Sequence, residues 1–318
     1  MKRILIIILI LSVSSTLFAF EKVGVTSFQF LKVIPDARSN SLGCAYSSLS
    51  SGADGMYWNP AAMVLRQGIS IDFSHVNYIF DTGHYGGAIS YNLGSIALGA
   101  MFMAADYGDI KETTVSQLGF NADGTYNPGL TGVTISPGAT VIGLGFSQML
   151  TNKFNYGISM KYAVEDMIVA DASVLMWDLG IYYNTDFKSI KLAATMRNFG
   201  PQVEYFDYDY PLPQTLNVGI SANLIGGESL LMTSNVHQLL MAFDLVQPRD
   251  FDQQYNVGLE YEFMEMVALR AGYKINYDTE GLTLGAGVKF RQFGIDYSYN
   301  NYGEYLEDVH RFSISINR

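Results

Sequence analysis

The sequence predicts an all-β protein: a transmembrane antiparallel β-barrel of about 14 strands with an N-terminal plug, or hatch, segment. Three observations predict it. Apolar residues alternate with polar or small ones at period two over most of the chain, many of these runs are about 9–11 residues long, and an export signal stands at the N-terminus. Successive side chains on a strand point to opposite faces, so each run has one apolar and one polar face. A tilted strand needs about 9–11 residues to cross a bilayer. Composition agrees. Of 318 residues 49% are hydrophobic and only 15% charged, against roughly 25% charged in an ordinary soluble domain. The net charge of −11 argues against a nucleic-acid partner held through phosphates. The single cysteine, Cys44, excludes an intramolecular disulfide.

Residues 1–19 read as a signal peptide. Lys2 and Arg3 precede the apolar run Ile4–Leu11, then small residues lead to Ala19, after which cleavage is expected. The run is too short for a spanning helix.

Residues 20–67 form the expected hatch. They do not alternate; they carry Ser39, Ser41, Gly43, Ser47, Ser48, Ser50, Ser51, Gly52 and Gly55, then Tyr57-Trp58-Asn59-Pro60-Ala61-Ala62-Met63. Small residues suit a segment packed inside a barrel whose lumen is too wide for wall side chains to fill. A short helical cap on the periplasmic side is the alternative.

Residues 68–318 are the expected barrel. Val267, Leu269, Ala271, Tyr273 and Ile275 alternate with Ala268, Arg270, Gly272 and Lys274. Tyr255, Val257, Leu259, Tyr261 and Phe263 alternate with Asn256, Gly258, Glu260 and Glu262. Upstream, Ile96, Leu98, Ala100 and Phe102 oppose Ala97, Gly99, Met101 and Met103. A soluble sandwich would turn the apolar face inward; a membrane barrel turns it to lipid and keeps polar groups inside. Export, strand length and aromatic residues at stripe ends favour the membrane barrel, hence the cell outer membrane and lipid as surroundings. Lys111–Gly138, Phe199–Pro213 and Asn300–Asp308 read as irregular loops.

Motifs for catalysis are absent. The four histidines lack metal-ligand spacing, no Gly-x-Ser-x-Gly elbow occurs, and Gly143-Leu144-Gly145 lacks the third glycine of a dinucleotide fingerprint. The expectation is a non-enzyme with no cofactor and no metal.

Phe30-Leu31-Lys32-Val33, Leu42-Gly43-Cys44-Ala45-Tyr46 and Met56-Tyr57-Trp58-Asn59-Pro60-Ala61 open the chain; Asn198-Phe199-Gly200 and Pro211-Leu212-Pro213 stand in its middle. Ala268-Leu269-Arg270-Ala271-Gly272-Tyr273, Gly294-Ile295-Asp296-Tyr297-Ser298-Tyr299 and His310-Arg311-Phe312-Ser313-Ile314 follow near its end. Together they resemble the PorV/PorQ family of outer-membrane proteins, relatives of the FadL-type hydrophobic-compound channels. Ser39-Asn40-Ser41 departs from that family's Ala/Leu-rich stretch, and Ser50-Ser51-Gly52 from its acidic approach to Asp54. The resemblance implies a hatch marked by Asn59, Pro60 and Ala61, and either of two roles. One is a channel for hydrophobic small molecules such as fatty acids. The other is a type IX secretion component that binds the C-terminal signal domain of secreted proteins. For the channel, Met101 and Met103 are expected to meet ligand from the lumen wall, and Arg197, Arg270 and Lys274 to hold a carboxylate. Glu260 stands across the hairpin from Arg270, placed to neutralise it.

Overall fold

The computed structural model describes residues 24–168, 171–303 and 306–318. The expected signal peptide and Glu304 lie outside the described residues. In chain order the strands are β1 (Gly68–Asn77), β2 (Gly83–Asn92), β3 (Ile96–Asp106), β4 (Ile110–Phe120), β5 (Tyr126–Ile135), β6 (Gly138–Met149), β7 (Phe154–Asp166), β8 (Asp171–Asn184), β9 (Lys191–Phe199), β10 (Val203–Tyr205), β11 (Tyr208–Tyr210), β12 (Thr215–Gly226), β13 (Met232–Thr233), β14 (His237–Pro248), β15 (Gln254–Phe263), β16 (Val267–Ile275), β17 (Leu282–Phe290), β18 (Phe293–Asn300) and β19 (Val309–Asn317).

Fourteen of these close into one antiparallel barrel; β4, β5, β10, β11 and β13 stand outside the wall. Chain neighbours pair around the circle. β19 returns to β1, and β9 meets β12, so no wall edge is left unpaired. That is the condition for sheet to exist in lipid, where an unpaired backbone group finds no water.

The period-two pattern sets which face meets lipid. On β16, Leu269 and Tyr273 are exposed outward while Ala268, Arg270 and Lys274 are buried inward. On β7, Ile158, Met160 and Tyr162 face out, and Ser159, Lys161 and Glu165 face in. Phe263, Phe290 and Phe293 stand exposed where β15, β17 and β18 meet short turns, as an interfacial aromatic girdle requires.

The connections differ between the two ends. Gly68, the turns after β3's partner strands and the C-terminal Arg318 share one end, with mostly tight turns. The other end carries the long connections. There Lys111–Gly138, expected to be irregular, is instead a β4–β5 hairpin. Its Thr113–Val115 and Val133–Thr134 runs are β-branched and favour extended chain, and Thr113 and Thr134 pair with Leu130 and Lys111, which outweighs the turn residues at its tip. Phe199–Pro213 likewise contains the short β10–β11 hairpin.

Residues 24–67 fold inside the barrel as short helices: Gln29–Lys32, Ala37–Ser41, Gly52–Asp54, Gly55–Trp58 and Pro60–Leu65. Asp36 starts the second, its carboxylate accepting from the Arg38 and Ser39 amides, a normal N-cap.

Candidate ligand cavity

The plug is seated in dents of the wall, and glycines make the dents. Gly157 and Gly180 are direct partners across β7 and β8. A β-carbon on Gly157 would stand 2.4 Å from the Pro60 carbonyl carbon, and one on Gly180 would stand 2.1 Å from Asn59 Oδ1. Into this seat go Asn59, Pro60 and Ala61. Asn59 Oδ1 accepts from the Ala61 amide, while its Nδ2 donates to the Ile181 and Ser47 carbonyls, each at 3.2 Å. Pro60 occupies the first turn of the helix, where no backbone N–H is needed. Ser147 Oγ donates to the Ala61 carbonyl at 3.0 Å. The triplet thus ties the plug both to itself and to the wall.

A second seat lies opposite. Gly258 and Gly272, partners on β15 and β16, leave room for the Leu42–Gly43 backbone. The Ala37 amide donates to Ser313 Oγ and the Gly43 amide to Thr283 Oγ1. Beside them, Arg38 pairs with Glu260 at 2.7 Å. Glu260 also receives Arg270 at 2.5 Å, and Arg270 reaches Asp296 at 2.6 Å. Burial, with Asp54 beside it, raises the Asp36 carboxyl to about 6.

Above the seated plug, at the long-connection end, lies a cavity of about 1200 Å³. A pocket for one drug-sized ligand is roughly 300–1000 Å³, so this one admits a small molecule with room to move. Aromatic residues line part of its wall, Phe28 and Phe30 from the plug and Tyr107, Tyr205, Phe251 and Tyr302 from the barrel and its loops, with polar and charged residues between them. The strap 24–34 forms one side. It is tied by Thr26 to Asp250 (2.8 Å), Lys32 to Asp250 (2.6 Å) and the Ser27 amide to the Pro211 carbonyl (2.9 Å). Burial opposes charge on Asp250, but the Lys32 and Thr26 contacts outweigh it and hold the carboxyl below its usual range.

Of the five expected ligand contacts, the structure brings Arg197 and Lys274 to this cavity. Met101 and Met103 face inward, buried in the apolar cluster that holds Met56 and Met63 of the plug, and do not border the cavity. The plug takes the position that ligand was expected to take. Arg270 is likewise spent on Glu260 and Asp296 beneath the plug. Lys274 is paired with Glu280; burial opposes the Glu280 charge, and Lys274 outweighs it and depresses the pKa. Arg197 alone of the three forms no ion pair within 4.0 Å among the described residues. It lies over the Trp58 ring, 5.0 Å from its centre. Trp58 and the strap phenylalanines were read as hatch residues only; the aromatic run Phe28–Phe30 ahead of the small-residue block was the available signal.

No protein-family model matches the sequence, and no curated protein matches it. Solved structures do match in fold. They include the CymD monoaromatic hydrocarbon channel (TM-score 0.59, 13% identity, 92% of this chain and 99% of that one). The toluene transporter TbuX of Ralstonia pickettii follows at 0.56 and 13%, covering 92% and 100%. The toluene transporter TodX of P. putida gives 0.59 and 13%, covering 88% and 97%. At this identity the likeness establishes the fold, a 14-strand barrel with the plug at its N-terminus. The PorV/PorQ family stands as a sequence resemblance.

Proposed function

We propose that this protein is an outer-membrane channel for hydrophobic small molecules, loaded from the long-connection end. In bacterial barrels the long loops face the exterior and the tight turns the periplasm. The observation that carries the reading is the cavity itself: a chamber lined in part by aromatic residues, on the outward side of a plug that fills the barrel beneath it. Structures of the same fold are channels for monoaromatic hydrocarbon and transporters of toluene, which supports small apolar, ring-containing molecules as cargo alongside fatty acids. Purified barrel in liposomes is expected to speed uptake of labelled toluene or a medium-chain fatty acid over protein-free liposomes. Equal uptake ends the reading.

A second reading is favoured by the β4–β5 hairpin. It stands clear of the wall with Val115, Leu118, Phe120 and Tyr126 exposed, a surface suited to another protein. On that reading the long connections receive the signal domain of a secreted protein. Gentle-detergent purification then brings down secreted proteins with the barrel; a barrel recovered alone speaks for the channel.

A further inference from the structure

The cavity floor carries a cation, Arg197, that no carboxylate meets within 4.0 Å among the described residues. Among the described residues four cationic side chains border the cavity, Lys32, Arg197, Lys274 and Arg311, against as many carboxylates, of which Glu165 is held by the Tyr107 and Tyr205 hydroxyls. Lys32 is matched by Asp250 and Lys274 by Glu280. Arg311, on β19, donates to Asn300 Oδ1 at 3.0 Å, in the same quarter as Glu280. Arg197, on β9, makes one hydrogen bond among the described residues, a long one of 3.4 Å from Nη1 to the Tyr57 carbonyl. Its Nε is buried and without a partner among the described residues, as is that of Arg311. Two wall carboxylates act on Arg197 from beyond 4.0 Å: Asp178, which already holds Lys161 at 2.8 Å and accepts the Asn198 amide, and Asp244, which accepts the Tyr46 and Ser47 amides.

The ring beneath Arg197 repeats the pattern. Trp58 is 2% exposed and borders the cavity, yet its Nε1 has no acceptor among the described residues. An indole N–H and a guanidinium are donors only. Leaving buried donors unmade costs free energy, and a buried cation costs more unless an anion meets it. Asn217 and Asn256 border the same floor with side-chain oxygens also unpartnered. Being uncharged, they can turn to either role and do not offset Arg197.

We infer that the floor of the cavity binds a carboxylate, presented by a ligand whose body is an aromatic ring. The inference rests on the channel reading and narrows it. Arg197 supplies the charge and a planar pair of donors suited to a carboxylate; the Trp58 ring backs the guanidinium. The aromatic wall above accepts the ring face or edge. The natural cargo is thus a small arene carboxylate, not a plain hydrocarbon.

The chain contains two tryptophans, and the other, Trp177, faces lipid. Trp58 is therefore a built-in reporter, read cleanly in a Trp177→Phe background. Full-length protein in detergent is titrated with benzoate, toluene, benzylammonium and octanoate. Benzoate is expected to change Trp58 emission and to bind at least tenfold more tightly than toluene or octanoate, with benzylammonium weaker still. A charge-assisted hydrogen bond is worth enough to give about a tenfold to hundredfold difference. Arg197→Met should remove that preference for benzoate, and Arg197→Lys should restore part of it.

Benzylammonium or toluene binding as tightly as benzoate overturns the inference. So does octanoate matching benzoate, since the aromatic body then contributes nothing. These ligand comparisons need no variant and stand even where Arg197→Met fails to fold. If toluene changes the emission and benzoate does not, the carboxylate floor fails while the channel reading survives. If no ligand changes it, the channel reading fails as well.

Discussion

Residues 37–65 of the plug and the strap 24–34 ahead of them touch the same wall in different ways. The lower part lies against paired glycines, with Asn59, Ala61 and Gly43 bonded to wall strands and Arg38 held in the Glu260 network. The strap meets the wall through a few bonds to Asp250 and Pro211, with Lys32 40% exposed along its side chain, and its inner face is open to the cavity. The lower contacts are many and joined in a network; the upper ones are few, and Lys32 is the part-exposed member of the ion pair among them. Stability is therefore expected to be concentrated in the lower plug, away from the side that is open to the cavity.

The strongest test removes the buried hub. Glu260→Gln leaves Arg38 and Arg270 without the carboxylate they share. Breaking a buried pair on one side costs about 3–5 kcal/mol, to be read from denaturant unfolding in detergent. A loss below about 1 kcal/mol means that the plug is not locked there.

Next is the glycine seat. Gly180→Val drives a side chain into Asn59 and is expected to cost about 1–3 kcal/mol or more, seen as a lower temperature at which the compact barrel band converts on a gel. Gly119→Val in the outer hairpin, where a β-carbon meets nothing within 4 Å, should leave that temperature unchanged.

The lower plug should also respond to pH. Asp36 is raised to about 6 by burial and by Asp54, so the folded state holds its proton more tightly than the unfolded chain. Its stabilising contribution is complete below the unfolded value near 3.8 and fades as pH rises through 6. Asp36→Asn is expected to flatten the stability profile between those values by up to about 1 kcal/mol per pH unit. A slope that survives the substitution assigns it to another group.

The smallest effect belongs to the strap. The Lys32 side chain is 40% exposed, and the buried Asp250 keeps its Thr26 bond when the lysine is removed, so the pair is expected to contribute about 1 kcal/mol. Lys32→Met should leave unfolding nearly untouched and speed ligand release from the cavity. A loss as large as that of Glu260→Gln would erase the distinction between the two regions.

The wall was legible in the chain because strand alternation is local. Leu269 and Tyr273 face lipid and Arg270 and Lys274 face inward, as period two requires. The pairing of Glu260 with Arg270 was equally legible, since a hairpin fixes cross-strand partners. Asn59-Pro60-Ala61 could be singled out but not seated: its seat, Gly157 and Gly180, lies about a hundred residues away on two strands that only barrel closure presents to it. The same non-locality decided the cavity. Arg270, Lys274 and Arg197 look alike in sequence, each an inward cation on a wall strand. Only the fold brings Asp296 to the first and leaves the third with no carboxylate within 4.0 Å among the described residues, whereas Glu280 reaches the second from the turn after its own strand. Backbone periodicity sets which way a side chain points; what it meets there depends on chain brought in from far away.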